Sequence, residues 1–123
     1  MKHFLLIAAL LPIAVAAQVG TGGAFPASAV PATAQALSTH LSGRTFSAVY
    51  ADGTRVQSKF GADGSLAATA PGFYDTGNWR VEEGKLCGAL RKIGEFCNEA
   101  CFDAGVLYLR RMNGEVIRYE SEQ

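Results

Sequence analysis

The sequence predicts a mainly β fold: an antiparallel meander of about eight short strands curled into a small barrel or half-barrel, preceded by a signal peptide, a flexible linker and one short helix. Three observations carry this prediction. From Arg44 onward, apolar and polar residues alternate with a period of two. Turn pairs break the alternation at short intervals: Asp52-Gly53, Asp63-Gly64, Pro71-Gly72 and Asn113-Gly114. Charge is segregated as well, since residues 3–43 contain no Lys, Arg, Asp or Glu and every acidic residue lies from Asp52 onward.

The elements follow in order. Lys2 precedes an unbroken apolar run over residues 4–15, and Ala14, Ala16 and Ala17 close it with small side chains. A charged start, an apolar middle and a small-residue end make a secretory signal peptide, residues 1–17, cleaved near Ala16 or Ala17. The run is shorter than the roughly 20 apolar residues a transmembrane helix needs, so no membrane span is expected after cleavage. The first cysteine is Cys87, which excludes a lipid-anchored leader. Residues 18–36, rich in Gly, Pro and Ala, read as a flexible linker. Residues 32–41 read as a short helix with Leu37 and Leu41 on one side and Gly43 just past its end.

Residues 37–123 form the barrel-like domain. Phe46, Ala48 and Tyr50 alternate with polar residues, then Val56, Ser58 and Phe60, then Leu66, Ala68 and Ala70, then Trp79 and Val81. Further short runs lie at 85–91, 95–102, 106–111 and 115–120. Each strand has one apolar face, so the sheet must curl to bury it. Trp79, Phe46, Phe60, Phe96, Phe102 and Tyr108 are the expected aromatic core.

Composition excludes some functions. Loss of Lys2 with the leader leaves ten basic against eleven acidic residues. With no basic excess there is no electrostatic support for nucleic-acid binding. No phosphate-binding glycine loop, dinucleotide fingerprint or Asp-x-Asp calcium loop occurs, and no cofactor or metal is expected. No Gly-x-Ser-x-Gly motif positions a nucleophile. His40 and Cys101 are the residues a small hydrolase would have to use.

Three cysteines remain after the leader: Cys87, Cys97 and Cys101. An exported chain meets an oxidising compartment, so a disulfide is expected. A hairpin turning at 91–93 sets Cys87 opposite Cys97, whereas Cys97 and Cys101 lie about 13 Å apart in an extended strand. A helical segment there would instead permit a Cys97–Cys101 bridge. The Cys87–Cys97 pairing leaves Cys101 as a free thiol, buried as a small apolar residue or joined to a second chain in a dimer. A zinc site of Cys87, Cys97, Cys101 and His40 matches no common ligand spacing.

One segment stands apart. Residues 71–79 place Phe73, Tyr74 and Asp75 in a glycine-flanked loop that leads to Trp79 and Arg80. Phe73, Tyr74, Asp75, Trp79 and Arg80 are therefore the candidate ligand-binding residues. The competing reading has an aromatic of this segment capping the barrel end and Asp75 stabilising a turn.

The same segment carries a likeness. The Asp75-x-Gly77-x-Trp79 strand, the turn into Leu86-Cys87, the second cysteine at Cys97 and the Leu41-Ser42-Gly43-Arg44-Thr45 entry resemble a family of small exported proteobacterial proteins of uncharacterised function. The resemblance covers roughly residues 37–110. It implies a compact, somewhat lipocalin-like antiparallel fold and a Cys87–Cys97 bridge; Cys101 departs from the two-cysteine pattern. The expected role is a non-enzymatic periplasmic or secreted β-domain binding a small apolar ligand or an envelope protein partner. The alternatives are an inhibitor of a secreted hydrolase, inserting residues 73–75 into its cleft, and the His40 or Cys101 hydrolase.

Overall fold

The computed structural model describes residues 23–122. The expected signal peptide, residues 1–17, and residues 18–22 of the expected linker lie outside the described residues. Among the described residues, nine strands and one helix follow in order: β1 (Val30–Pro31), α1 (Ala34–Leu41), β2 (Arg44–Val49), β3 (Arg55–Phe60), β4 (Ser65–Ala70), β5 (Phe73–Glu82), β6 (Lys85–Leu90), β7 (Gly94–Asp103), β8 (Val106–Arg110) and β9 (Val116–Glu122). Strands β2 to β9 each pair antiparallel with the next, and β9 returns to β2 through Thr45↔Glu122, Phe46↔Ser121 and Ser47↔Glu120. The result is a closed eight-stranded up-and-down barrel with one short helix. Closure leaves no long unpaired edge, the hazard that open sheets must manage.

An eight-stranded barrel is just wide enough for side chains to fill, and this one is filled. Phe46, Phe60, Leu37, Leu41, Leu86, Leu107 and Leu109 are fully buried. Inside, the Phe46 ring stacks on Tyr119 at 5.9 Å and meets Phe60 at 6.0 Å, and Phe60 meets Trp79 edge-on at 5.4 Å. Tyr119 is the interior tyrosine. Tyr108, expected in the core, faces outward opposite Cys101 and Arg118. Leu107 and Leu109 take the inward positions of β8, and a strand offers each face only alternate residues.

Both ends are closed. Helix α1 begins at Ala34, two residues later than expected, because Ala32 is held by the sheet: its N–H donates to the Ala100 carbonyl and its C=O accepts from Gly84. Thr33 caps the helix, its hydroxyl accepting from the Ala36 amide, and Glu83 accepts from the Ala34 amide. The helix seats Leu37 and Leu41 in the core, with the His40 ring 5.1 Å from Phe46 and 5.0 Å from Phe102. At the opposite end the Arg111 guanidinium lies 3.7 Å over the Tyr50 ring and pairs with Glu115 at 2.7 Å.

The described part of the expected flexible linker is docked. Val30 pairs with Phe102 and Pro31 with Cys101 of β7. Ser28 donates to Asp103, and Arg110 sits 4.6 Å over the Phe25 ring while donating to the Gly23 carbonyl. Composition signalled mobility because the segment is uncharged and rich in small Gly, Pro and Ala residues, but its hold on the barrel comes from hydrogen bonds and a cation–π contact that composition does not display.

Candidate functional site

The segment read as a glycine-flanked loop is the first half of a ten-residue strand, Phe73–Glu82. The inward positions of its first half hold Phe73, Asp75 and Gly77, opposite Ala70, Ala68 and Leu66. A carboxylate and a glycine on the inner face hid the alternation. Residues 73–75 therefore form no protruding loop that could enter the cleft of a hydrolase.

The strand separates the five candidates. Asp75 is 2% exposed, at the barrel end away from α1. It accepts from the amides of Thr76 (2.9 Å), Lys92 (2.9 Å) and Ile93 (3.0 Å), so it pins the β6–β7 turn from inside. Burial pushes its carboxyl up, but the Ile93, Lys92 and Thr76 amides and the nearby Lys92 ammonium outweigh this and hold its pKa below the ordinary value. Phe73 closes the same end, with the Lys92 ammonium 5.6 Å from its ring. Trp79 is a core residue, its indole N–H donating to the Gly61 carbonyl at 2.9 Å. Arg80 lies on the outer face, 3.2 Å from Glu82 and beside the Cys97 sulfur. Tyr74 alone, 56% exposed, presents its ring to solvent beside a concavity.

That concavity opens on the outer wall over β3 to β6, with a volume of about 690 Å³. The register builds it. Lys59, Ala67 and Thr76 stand in one row across three strands, and the Arg91 amide donates to the Thr76 carbonyl, extending the row. Asn78 and Ala89 form the adjoining row. Small side chains make the floor, and Lys59, Tyr74, Asn78 and Arg91 make the banks. Gly77 sits beneath the concavity, where a Cβ would collide with the Ala89 carbonyl, so β5 and β6 press together where only glycine fits. Sequence reading missed Lys59, Thr76, Asn78 and Arg91 because no motif contains them. The one signal was the hairpin arithmetic that also aligns Cys87 with Cys97.

The Cys87–Cys97 disulfide is present, its residues directly paired across β6 and β7. The Glu82 carboxylate and these sulfurs lie within 4.8 Å of one another, yet bridged sulfurs offer no thiolate to a metal. Cys101 is the free thiol, half-buried; burial and the neighbouring Glu99 raise its pKa, against Arg110, and disfavour the thiolate. Its neighbour Phe102 packs against His40, so Cys101 and His40 lie on opposite faces of β7 and form no nucleophile–base pair. His40 itself is partly desolvated and stands near Arg44, and both effects lower its pKa. Among the described residues, no helix is long and apolar enough to cross a membrane.

Fold and surface together define a small closed β-barrel with a filled interior and an outer groove that has a small-residue floor and polar banks. In comparisons with known proteins, no family model, no curated protein and no solved structure matches the chain.

Proposed function

We propose that the protein is an exported, non-enzymatic binding domain that holds a protein partner in the groove over β3 to β6. One observation carries this reading: the interior is packed with its own aromatic and aliphatic side chains, while an outer concavity of about 690 Å³ is left uncovered. A lipocalin-like barrel that carried an apolar ligand would need the reverse arrangement, an open apolar mouth. The leader-like start of the sequence and the intramolecular disulfide support export, and the likeness to exported proteobacterial proteins supports a periplasmic or secreted site. The exposed Tyr74 ring beside polar banks supports a contact surface, since aromatics enriched at interfaces supply apolar area with a polar tip.

A photo-reactive phenylalanine derivative replacing Tyr74, compared with the same replacement at Arg118 on the far side of the barrel, tests the reading in the native host. A discrete cross-linked species from position 74 and none from position 118 is expected. No adduct from either position, or equal labelling from both, would overturn it.

A further inference from the structure

Charge on the outer wall is unevenly matched. Arg55, Arg80, Arg110, Arg111 and Arg118 each have a glutamate within 4.0 Å. Among the described residues, five exposed cations have no carboxylate within that distance: Arg44 and Lys92, which donate to the His40 and Tyr74 carbonyls, Lys85, and the pair Lys59 and Arg91. Lys59 and Arg91 both line the groove. The carboxylates nearest by register stand at its border. Glu95 pairs opposite Ala89, and Asp63 is engaged in the β3–β4 turn by the amide and hydroxyl of Ser65.

Distance narrows the occupant. Lys59 and Arg91 are three strand spacings apart, about 14 Å at roughly 4.8 Å per spacing. In an extended polypeptide, residues four apart project from one face about 13 Å from each other. The two spans agree. The space between the cations is floored by Ala67 and Thr76, which leave room for a backbone, and Tyr74 stands on one bank.

We propose that the groove binds an extended acidic segment of the partner protein, with carboxylates four residues apart on Lys59 and Arg91 and an apolar side chain of the segment against Tyr74. This rests on the reading of the groove as the contact face and names the chemistry of its occupant. Paired cations at this separation favour two anionic groups on one strand over a single small anion, which would reach only one bank.

The test is an amide NMR titration of the folded protein with a capped seven-residue peptide carrying glutamate at its second and sixth positions, against the same peptide with glutamine there. The acidic peptide is expected to shift the amides of Lys59, Ala67, Thr76, Asn78 and Arg91 and the glutamine peptide to leave them in place. Lys59→Gln and Arg91→Gln should each weaken binding by about two- to fivefold, the range of a solvent-exposed ion pair. Equal response to both peptides, or shifts elsewhere on the barrel, would overturn the proposal. Groove shifts caused by vesicles of anionic phosphatidylglycerol but not by the peptide would also overturn it, by pointing to a lipid surface. A cross-link at position 74 without response to the acidic peptide would sink the acidic segment and leave the contact face standing.

Discussion

Replacing both Cys87 and Cys97 with alanine should lower the melting temperature by about 10–20 °C, and the magnitude follows from the register. The bridge closes a loop of ten residues. In the chain-entropy treatment, that closure removes about 9 cal/mol/K from the unfolded chain, or about 2.7 kcal/mol at 25 °C. The folded state is not reorganised by the loss, because the ladder from Lys85↔Glu99 to Leu90↔Gly94 holds the same hairpin. For a domain near 100 residues, each kcal/mol moves the midpoint by about 4–8 °C. Cys87 is fully buried, so the missing sulfur adds a small packing loss in the same direction. Thermal unfolding followed by circular dichroism reads the shift. A reducing agent should lower the wild-type midpoint and leave the variant unchanged. A drop of less than about 3 °C would refute the entropic reasoning, and titration of three free thiols in the native protein would refute the bridge.

Three further perturbations follow from the same contacts. Phe46→Ala removes the ring that joins His40, Phe60 and Tyr119, and should cost about 3–5 kcal/mol in urea unfolding; a loss under about 1 kcal/mol would mean the interior is loosely packed. The depressed pKa of Asp75 makes its contribution complete above the unfolded value near pH 3.9 and lost as pH falls through the folded value. Asp75→Asn should therefore be less stable at neutral pH and show a shallower acid transition than wild type; parallel pH profiles would contradict this. His40 has a folded pKa below its unfolded value of about 6.5, so the unfolded chain binds the proton first and stability declines as pH drops below about 6.5. His40→Gln should flatten the urea midpoint between pH 7.5 and pH 5, and an unchanged slope would count against the lowered pKa.

The barrel was legible because its signal is local. Period-two alternation and Asp-Gly or Asn-Gly turns place strands and hairpins without reference to distant residues, and consecutive hairpins then fix the neighbours. That is why Cys87 opposite Cys97 followed from the position of one turn. The phase of β8 was less readable: Val106, Leu107, Tyr108 and Leu109 are all apolar, so nothing local says which of them points inward. The first half of β5 was hidden for the opposite reason, with Asp75 and Gly77 at inward positions normally held by apolar residues. Asp75 is tolerated there because the β6–β7 turn supplies its backbone donors, a partnership between residues 17 and 18 positions apart. The groove is less legible still. Lys59, Tyr74, Asn78 and Arg91 come from two strands and a turn, each reading alone as solvated surface.

The central claim is that the barrel interior is filled and that contact is made on the outer wall. Trp79, the single tryptophan of the chain, reports on it directly, because its indole lies against Phe60 and donates to the Gly61 carbonyl. Titration of the folded protein with a long-chain fatty acid, followed by Trp79 fluorescence, should leave emission maximum and intensity unchanged. A saturable shift or quench at one fatty acid per chain would mean that the interior opens to an apolar ligand, and would contradict the account.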